Sequence, residues 1–359
     1  MSNNFITTYV LKITTGCNLR CKYCYSSEKK GFARRIEKSV LEKLFTGIAG
    51  LPSKRIQFIW HGGEPLLVGK SYFSEILELQ KVILGSEFEV INNVQTNGTL
   101  LDEDWIDFLF QNNFGIGISI DGPQDIHNLN RVSVPGYDTH TKVMEAVSNL
   151  TRRGYPTSVC CVVTKQTLNR AREIYEFFCE LGVKEFDPIP CLPYQTNGKS
   201  KDLAVDPLDY AKFLIDLFDI WFTQDNEEIS IRYLSNVLQG ITLGHSSLCK
   251  LAGTCASFLS ITPKGDVYPC DSFIGYSEYL LGNLRHETLE TIVEGSNYAR
   301  FIGNMSETIT ECTECDWFRL CKGGCSFQRY IGSSIYNNES YYCLSNKLLF
   351  QHIRSVLNK

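Results

Sequence analysis

"TTGCNLRCKYCYSS" (residues 14–27) sets Cys17, Cys21 and Cys24 at a C-x3-C-x2-C spacing, close to the start of a 359-residue chain. It runs on directly from "TTYVLKITT" (7–15), an apolar, β-branched stretch that reads as a strand. Three thiols on one short loop are a ligand short of a tetrahedral site. Cys21 and Cys24 on their own have the C-x-x-C spacing of a thiol–disulfide pair. A zinc ion would need a fourth ligand nearby, and the loop offers no His, Asp or second C-x-x-C. An iron–sulfur cluster tolerates the shortage, since cysteines can hold three irons while the fourth stays open. The loop therefore favours a cluster.

Outward from the loop, short apolar runs alternate with amphipathic stretches as far as residue 224. Strands are expected at 7–15, 55–61, 88–97, 115–121, 157–164 and 184–192, and helices near 37–49, 70–84, 102–112, 139–153, 167–181 and 206–224. Runs such as "IGISID" and "CCVVT" are apolar over several residues, as strands covered on both faces should be. Six strand–helix units make an α/β fold with a parallel sheet. They are too few to close an eightfold barrel, so a partial (β/α)6, TIM-like barrel is expected. Active sites of such sheets lie at the carboxyl ends of the strands, which is where the cysteine loop falls.

Hydrophobic residues make up 43% of the chain and charged residues 21%, a globular composition. The formal net charge of −5 gives no electrostatic reason for a nucleic-acid partner. The opening "MSNNFITTYVLKITTG" lacks a basic segment followed by an apolar core, so no secretory signal is expected. Stretches such as "DYAKFLIDLFDIWF" are broken by charges and cannot span a bilayer. A cytoplasmic chain without membrane attachment follows. In that reducing setting fifteen cysteines, an odd count, argue for metal ligation over disulfides.

Beyond about residue 240 the pattern changes to turns, a hairpin around "PKG" (263–265), and a helix near 287–303. The chain is expected to divide into 1–240, a cysteine-rich domain at 241–345, and a closing helix at 346–359. The later cysteines are Cys249, Cys255 and Cys270 at C-x5-C-x14-C, then Cys312, Cys315, Cys321, Cys325 and Cys343 at C-x2-C-x5-C-x3-C-x17-C. Eight thiolates serve two fully ligated 4Fe–4S clusters or two zinc sites, and the count alone does not separate them. Cys160, Cys161, Cys179 and Cys191 are left over and read as small core residues. Of these, Cys191 near the end of strand six is the one placed to face a site.

The C-x3-C-x-aromatic-C loop after strand one resembles the radical S-adenosylmethionine (SAM) enzymes. The resemblance implies an open cluster iron that chelates the amino and carboxylate groups of SAM. One electron then cleaves SAM to a 5′-deoxyadenosyl radical that abstracts hydrogen from substrate. Tyr23 takes the aromatic position expected near the adenine. "HGGEP" (61–65) resembles the family's GGEP motif, so Gly62, Gly63 and Glu64 are expected at the SAM amino group. Glycines let the backbone come close, and a carboxylate accepts from an ammonium. "QTNG" (95–98) and "SIDG" (119–122) end strands three and four, and Ser119 and Asp121 resemble SAM-contacting residues of sulfatase maturases. Asp121 also reads as a cap. Arg131 reads either as a partner of the SAM carboxylate or as a surface arginine.

"GDVYPC" and "CTECDWFRLCKGGC" resemble the SPASM extension of radical SAM peptide maturases. By that likeness one auxiliary cluster takes Cys249, Cys255, Cys270 and Cys325, and the other Cys312, Cys315, Cys321 and Cys343. Three 4Fe–4S clusters in all are then expected, with Gly323 and Gly324 leaving room for N–H groups beside sulfur. Asp271, next to the hairpin cysteine, stands where sulfatase maturases keep a catalytic base. The expected activity is oxidation of a side chain in a peptide or protein. "HGGEPLL" looks more like maturases of ribosomally made peptides, which favours a side-chain crosslink; oxidation of Cys or Ser to formylglycine is the alternative. The family likeness further implies an electron donor such as flavodoxin or ferredoxin, and a monomer is expected. Readings of another class are a non-catalytic iron–sulfur electron carrier and a zinc-stabilised binding module.

Overall fold

Seven residues, TYVLKIT, form β1 (Thr8–Thr14), and every one of them is buried. A strand with no solvated face belongs inside a parallel sheet covered on both sides. The computed structural model describes residues 6–26, 34–193, 198–307, 309–333 and 338–358. After β1 come α1 (Lys38–Ala49), β2 (Arg55–Gly62), α2 (Lys70–Leu84), β3 (Glu89–Thr96), α3 (Glu103–Gln111) and β4 (Gly115–Ser119). Then follow α4 (Gln124–Asn130), α5 (His140–Arg152), β5 (Thr157–Val163), α6 (Ala171–Glu180), β6 (Glu185–Pro190), α7 (Gly198–Leu203), α8 (Pro207–Gln224), β7 (Ser230–Ile231) and α9 (Arg232–Leu243). The cysteine-rich part adds β8 (Phe258–Ile261), β9 (Asp266–Tyr268) and β10 (Gly282–Asn283).

The chain forms two compact units that each draw on separated segments. The first holds residues up to Asn18, Ser26–Gly117 and Cys255–Ser306. Its strands run in the order β10-β9-β8-β1-β2-β3. β1 pairs in parallel with β2 on one side and β8 on the other, and the β8–β9 hairpin around "PKG" is antiparallel. Tyr9 lies 5.7 Å from Phe58 between ring centroids, and Trp60 and Phe73 continue that aromatic layer. α1 closes over it with Val40, Leu41, Leu44, Phe45 and Ile48, a helical stripe.

The second unit holds Leu19–Tyr25, Ile118–Thr254 and the residues from Glu307 onward. Here β5, β6 and β7 are parallel neighbours. Phe186 of β6 packs on Phe178 of α6 at 4.7 Å, and Tyr210 of α8 donates to the carbonyl of Pro188. The last helix, Cys343–Leu357, buries Leu349, Phe350 and Ile353, and Tyr342 at its start donates to the Val205 carbonyl.

The six expected strands and the helices between them are present with ends shifted by a residue or a few. The sequence reading did not include α4, α7 or α9, and two further details differ from it. The two-residue β7 is too short to leave a periodic signal. The helix near 287–303 is two helices, Leu289–Glu294 and Ser296–Ser306, because Gly295 between them is extended. No helix among the described residues is long and apolar enough to cross a membrane.

Candidate active site

In the first unit, the two glycines of HGGEP dock the end of β2 against the cysteine loop. Gly62 has φ +136°, and a Cβ there would stand 2.4 Å from the Thr14 carbonyl oxygen. A Cβ on Gly63 would stand 2.0 Å from the Gly16 carbonyl oxygen. Gly63 N–H donates to Thr14 O and Glu64 N–H to Gly16 O, both at 2.8 Å. The close approach these glycines permit is thus to the chain's own loop just before Cys17.

Glu64 is fully buried. Its Oε1 accepts from Thr96 Oγ1 at 2.7 Å and from Leu66 N at 3.1 Å, and its Oε2 accepts from Asn97 N at 2.7 Å. Burial outweighs these donors and pushes its carboxyl up to about 7. An ionised carboxylate accepts about four hydrogen bonds, and three donors are described at this one. The Asn97 amide donates to Asn18 Oδ1 at 2.9 Å and lies 4.0 Å from Cys17 Sγ. The end of β3 thereby links the Glu64 carboxylate to the first cluster cysteine.

Asp271 follows the hairpin in the same unit. Its Oδ2 lies 3.3 Å from Lys12 Nζ on β1, and Lys12 Nζ lies 3.3 Å from His61 Nδ1 on β2. Lys12 and His61 are register partners across the β1–β2 pair, which is why they meet. Burial and the Lys12 charge push His61 down to about 3, so its imidazole stays neutral. Sequence reading singled out Asp271 and passed over Lys12. A lysine in a fully buried strand was the available signal.

Tyr23, Asp121 and Arg131 come together in the second unit. Tyr23 OH donates to Asp121 Oδ2 at 2.5 Å, Arg131 Nε lies 3.0 Å from Asp121 Oδ1, and Val162 N donates to the same Oδ1 at 3.0 Å. Arg131 is 6% exposed, which excludes the surface-arginine reading, and its guanidinium carbon lies 5.5 Å from the Tyr23 ring centre. The Asp121 carboxylate therefore knits the cysteine loop to the ends of β4 and β5. Ser119 closes β4, half-buried. Cys21 and Cys24 share this unit with Tyr23, while Cys17 belongs to the first.

Cys312, Cys315, Cys321 and Cys343 line one recess of about 340 Å³, its open mouth included, with Glu339 and Lys347. Among the described residues no three His, Cys, Asp or Glu side chains converge tightly enough for a single metal ion. Four thiols spaced around a recess suit the corners of a cube instead. Burial pushes the Cys321 thiol up, against the Gly323 backbone, which favours the thiolate, and Gly323 and Gly324 have φ +82° and +78°. These residues fit a cluster. Of the other set, Cys255 and Cys270 flank the β8–β9 hairpin in the first unit, and Cys249 and Cys325 belong to the second.

The leftover cysteines divide. Cys161 and Cys191 are buried, with Cys191 Sγ turned to the Ser200 carbonyl at 3.8 Å, so Cys191 does not face a site. Cys160 and Cys179 are half-buried, and burial pushes the Cys160 thiol up to about 12.

Residues 11–178 match the radical SAM superfamily, and residues 253–316 match SPASM, an iron–sulfur cluster-binding domain. A cysteine-type anaerobic sulfatase-maturating enzyme of Clostridium perfringens is 36% identical over 348 residues, covering 94% of each chain. The structure of native anSMEcpe with bound AdoMet and the Cp18Cys peptide matches with a TM-score of 0.87 at 35% identity, over 99% of this chain and 98% of that one. Streptococcus suis SuiB bound to its precursor peptide SuiA matches with a TM-score of 0.68 at 16% identity, over 94% of this chain and 75% of that one, a likeness of fold alone. The chain is a radical SAM enzyme with a SPASM domain, and it belongs to the family of the anaerobic sulfatase-maturating enzymes.

Proposed function

We propose that the protein oxidises a cysteine side chain of a peptide or protein to formylglycine. The observation that carries this reading is the 36% identity, over 94% of both chains, to a cysteine-type maturase. It favours this reading over the side-chain crosslink drawn from "HGGEPLL", since SuiB bound to its precursor peptide shares the fold alone, at 16% identity. Serine oxidation is the second form of the same chemistry.

The cofactors are SAM and 4Fe–4S clusters, and when bound they supply a hydrogen-atom abstractor and a path for electrons. Cys17, Cys21 and Cys24 would hold the SAM-binding cluster. Cys312, Cys315, Cys321 and Cys343 would hold one auxiliary cluster, and Cys249, Cys255, Cys270 and Cys325 the other. Glu64 would accept from the SAM amino group. Arg131 and Asp121 hold Tyr23 in place. An external one-electron donor such as flavodoxin or ferredoxin starts each turnover.

With SAM bound and cleaved, the substrate Cβ would lose one hydrogen atom to the 5′-deoxyadenosyl radical, which leaves as 5′-deoxyadenosine. Its thiol would then lose a proton to Asp271, and the auxiliary clusters, when bound, would supply the acceptor for one further electron. The resulting C=S bond adds water and releases sulfide, leaving the aldehyde. Lys12 offsets the Asp271 charge before the proton arrives. Asp271→Asn should cleave SAM and yield no aldehyde; full aldehyde yield would remove Asp271 from the mechanism.

A further inference from the structure

Asp187 has no part in the chemistry above, and its setting is unusual for a carboxylate. It lies in β6 at 9% exposure, and its Oδ1 is buried without a hydrogen-bond partner. Buried polar atoms are almost always paired, and a buried charge without a partner is costly, so such an atom calls for a reason. Among the described residues no cation is paired with it. Arg131 is held by Asp121, and Arg232 is exposed on α9. Its charge acts on Cys160, Cys161, Tyr210 and Tyr233, which are thiols and phenols whose protonation burial favours.

The register of the sheet fixes where Asp187 points. Cys160 pairs with Asp187 and Val162 with Ile189, so these four share one face. The opposite face carries Phe186, against Phe178 of α6, and Pro188, whose carbonyl takes the Tyr210 hydroxyl of α8. That face is closed by helices, with Val159, Cys161 and Val163 almost wholly buried. The face bearing Asp187 is the open one. Cys160 and Val162 are half-buried there, and Ile189 is 36% exposed. Apolar side chains left open around a single carboxylate suit a ligand with an aliphatic stem and a cationic tip.

We propose that Asp187 is a specificity site that receives a lysine or arginine side chain of the peptide substrate. This rests on the peptide-oxidising reading. The ligand's ammonium or guanidinium pairs with the Asp187 carboxylate, and its methylenes lie along Val162 and Ile189. No bond is made or broken at this site; it selects and seats the peptide.

The test uses the cluster-loaded protein and two fluorescent peptides that share one cysteine. One peptide carries lysines around that cysteine and the other carries glutamines. Binding is read by anisotropy, which needs no turnover, and aldehyde formation is read separately. The wild type should bind the lysine peptide at least tenfold more tightly. Asp187→Asn should reduce that preference to near unity while SAM cleavage without peptide is unchanged. Asp187→Lys should favour a third peptide that carries glutamates. Equal affinity of the wild type for the lysine and glutamine peptides would overturn the site, as would a preference that survives Asp187→Asn. A lysine peptide that binds selectively and is never oxidised would instead count against the maturase reading and leave the site standing. Failure of all three peptides to bind would overturn both.

Discussion

Lys12 Nζ lies 3.3 Å from Asp271 Oδ2, joining the first strand of the barrel to the turn after the β8–β9 hairpin. Lys12 is 9% exposed, so its ammonium needs a partner, and Asp271 provides one. Lys12→Met should lower aldehyde formation by about a hundredfold, the scale of a disturbed acid–base group, and leave peptide-free SAM cleavage near normal. Lys12→Arg should restore part of the loss. Equal loss of both activities would mean that Lys12 supports only the fold.

Glu64 gives a pH signature. Its carboxyl is raised from 4.5 to about 7, so between those values the folded state holds a proton that the unfolded chain releases. The contribution of this group to stability is therefore full below about 4.5 and falls as pH rises toward about 7. An N–H of the SAM amino group donating to the Glu64 carboxylate favours the ionised form, so SAM binding should release a proton from Glu64 near pH 6.5, beside the one its ammonium loses on reaching iron, and tighten as pH rises toward about 7. Calorimetry in two buffers of different ionisation enthalpy reads that proton. In Glu64→Gln the share of the release that Glu64 contributes should vanish. The new amide N–H₂ would also face Asn97 N–H, at a cost of about 1–3 kcal/mol.

Gly63→Ala places a methyl 2.0 Å from the Gly16 carbonyl oxygen, a backbone atom that cannot move aside freely. The cysteine loop should be displaced at a cost of about 1–3 kcal/mol. Reconstitution should then lose the SAM-binding cluster while the auxiliary clusters load. Wild-type iron content and SAM affinity would contradict the docking role given to this glycine.

Cluster number is read from iron. The reconstituted wild type should hold roughly twelve irons, and the double variant Cys312→Ser with Cys343→Ser about eight. An unchanged iron count would take the recess lined by these thiols out of the ligand set.

Much of this was legible in the chain. The C-x3-C-x2-C loop and the alternating apolar runs led to the α/β order, because parallel strands buried on both faces leave continuous apolar stretches. The residues of HGGEP were found, but one contact of its glycines was not. Gly62 and Gly63 answer to the backbone of Thr14 and Gly16, a contact between two strands that no single stretch displays. Lys12 and His61 went unread for the same reason, since they are neighbours only through the β1–β2 register. Arg131 looked like a possible surface residue because its partner Asp121 lies ten positions earlier and meets it only through folding. Asp187 sat in "KEFDPIPCL" as one polar residue of an apolar strand, and its unpaired oxygen shows only once the register fixes its face.

The central claim is tested most directly by mass spectrometry of a cysteine-containing peptide after anaerobic reaction with the reconstituted protein, SAM and a reductant. The account predicts a product that has lost two hydrogens and exchanged sulfur for oxygen, with a reactive aldehyde and one equivalent of 5′-deoxyadenosine. A product that has lost two hydrogens, kept its sulfur and gained an internal crosslink would contradict it.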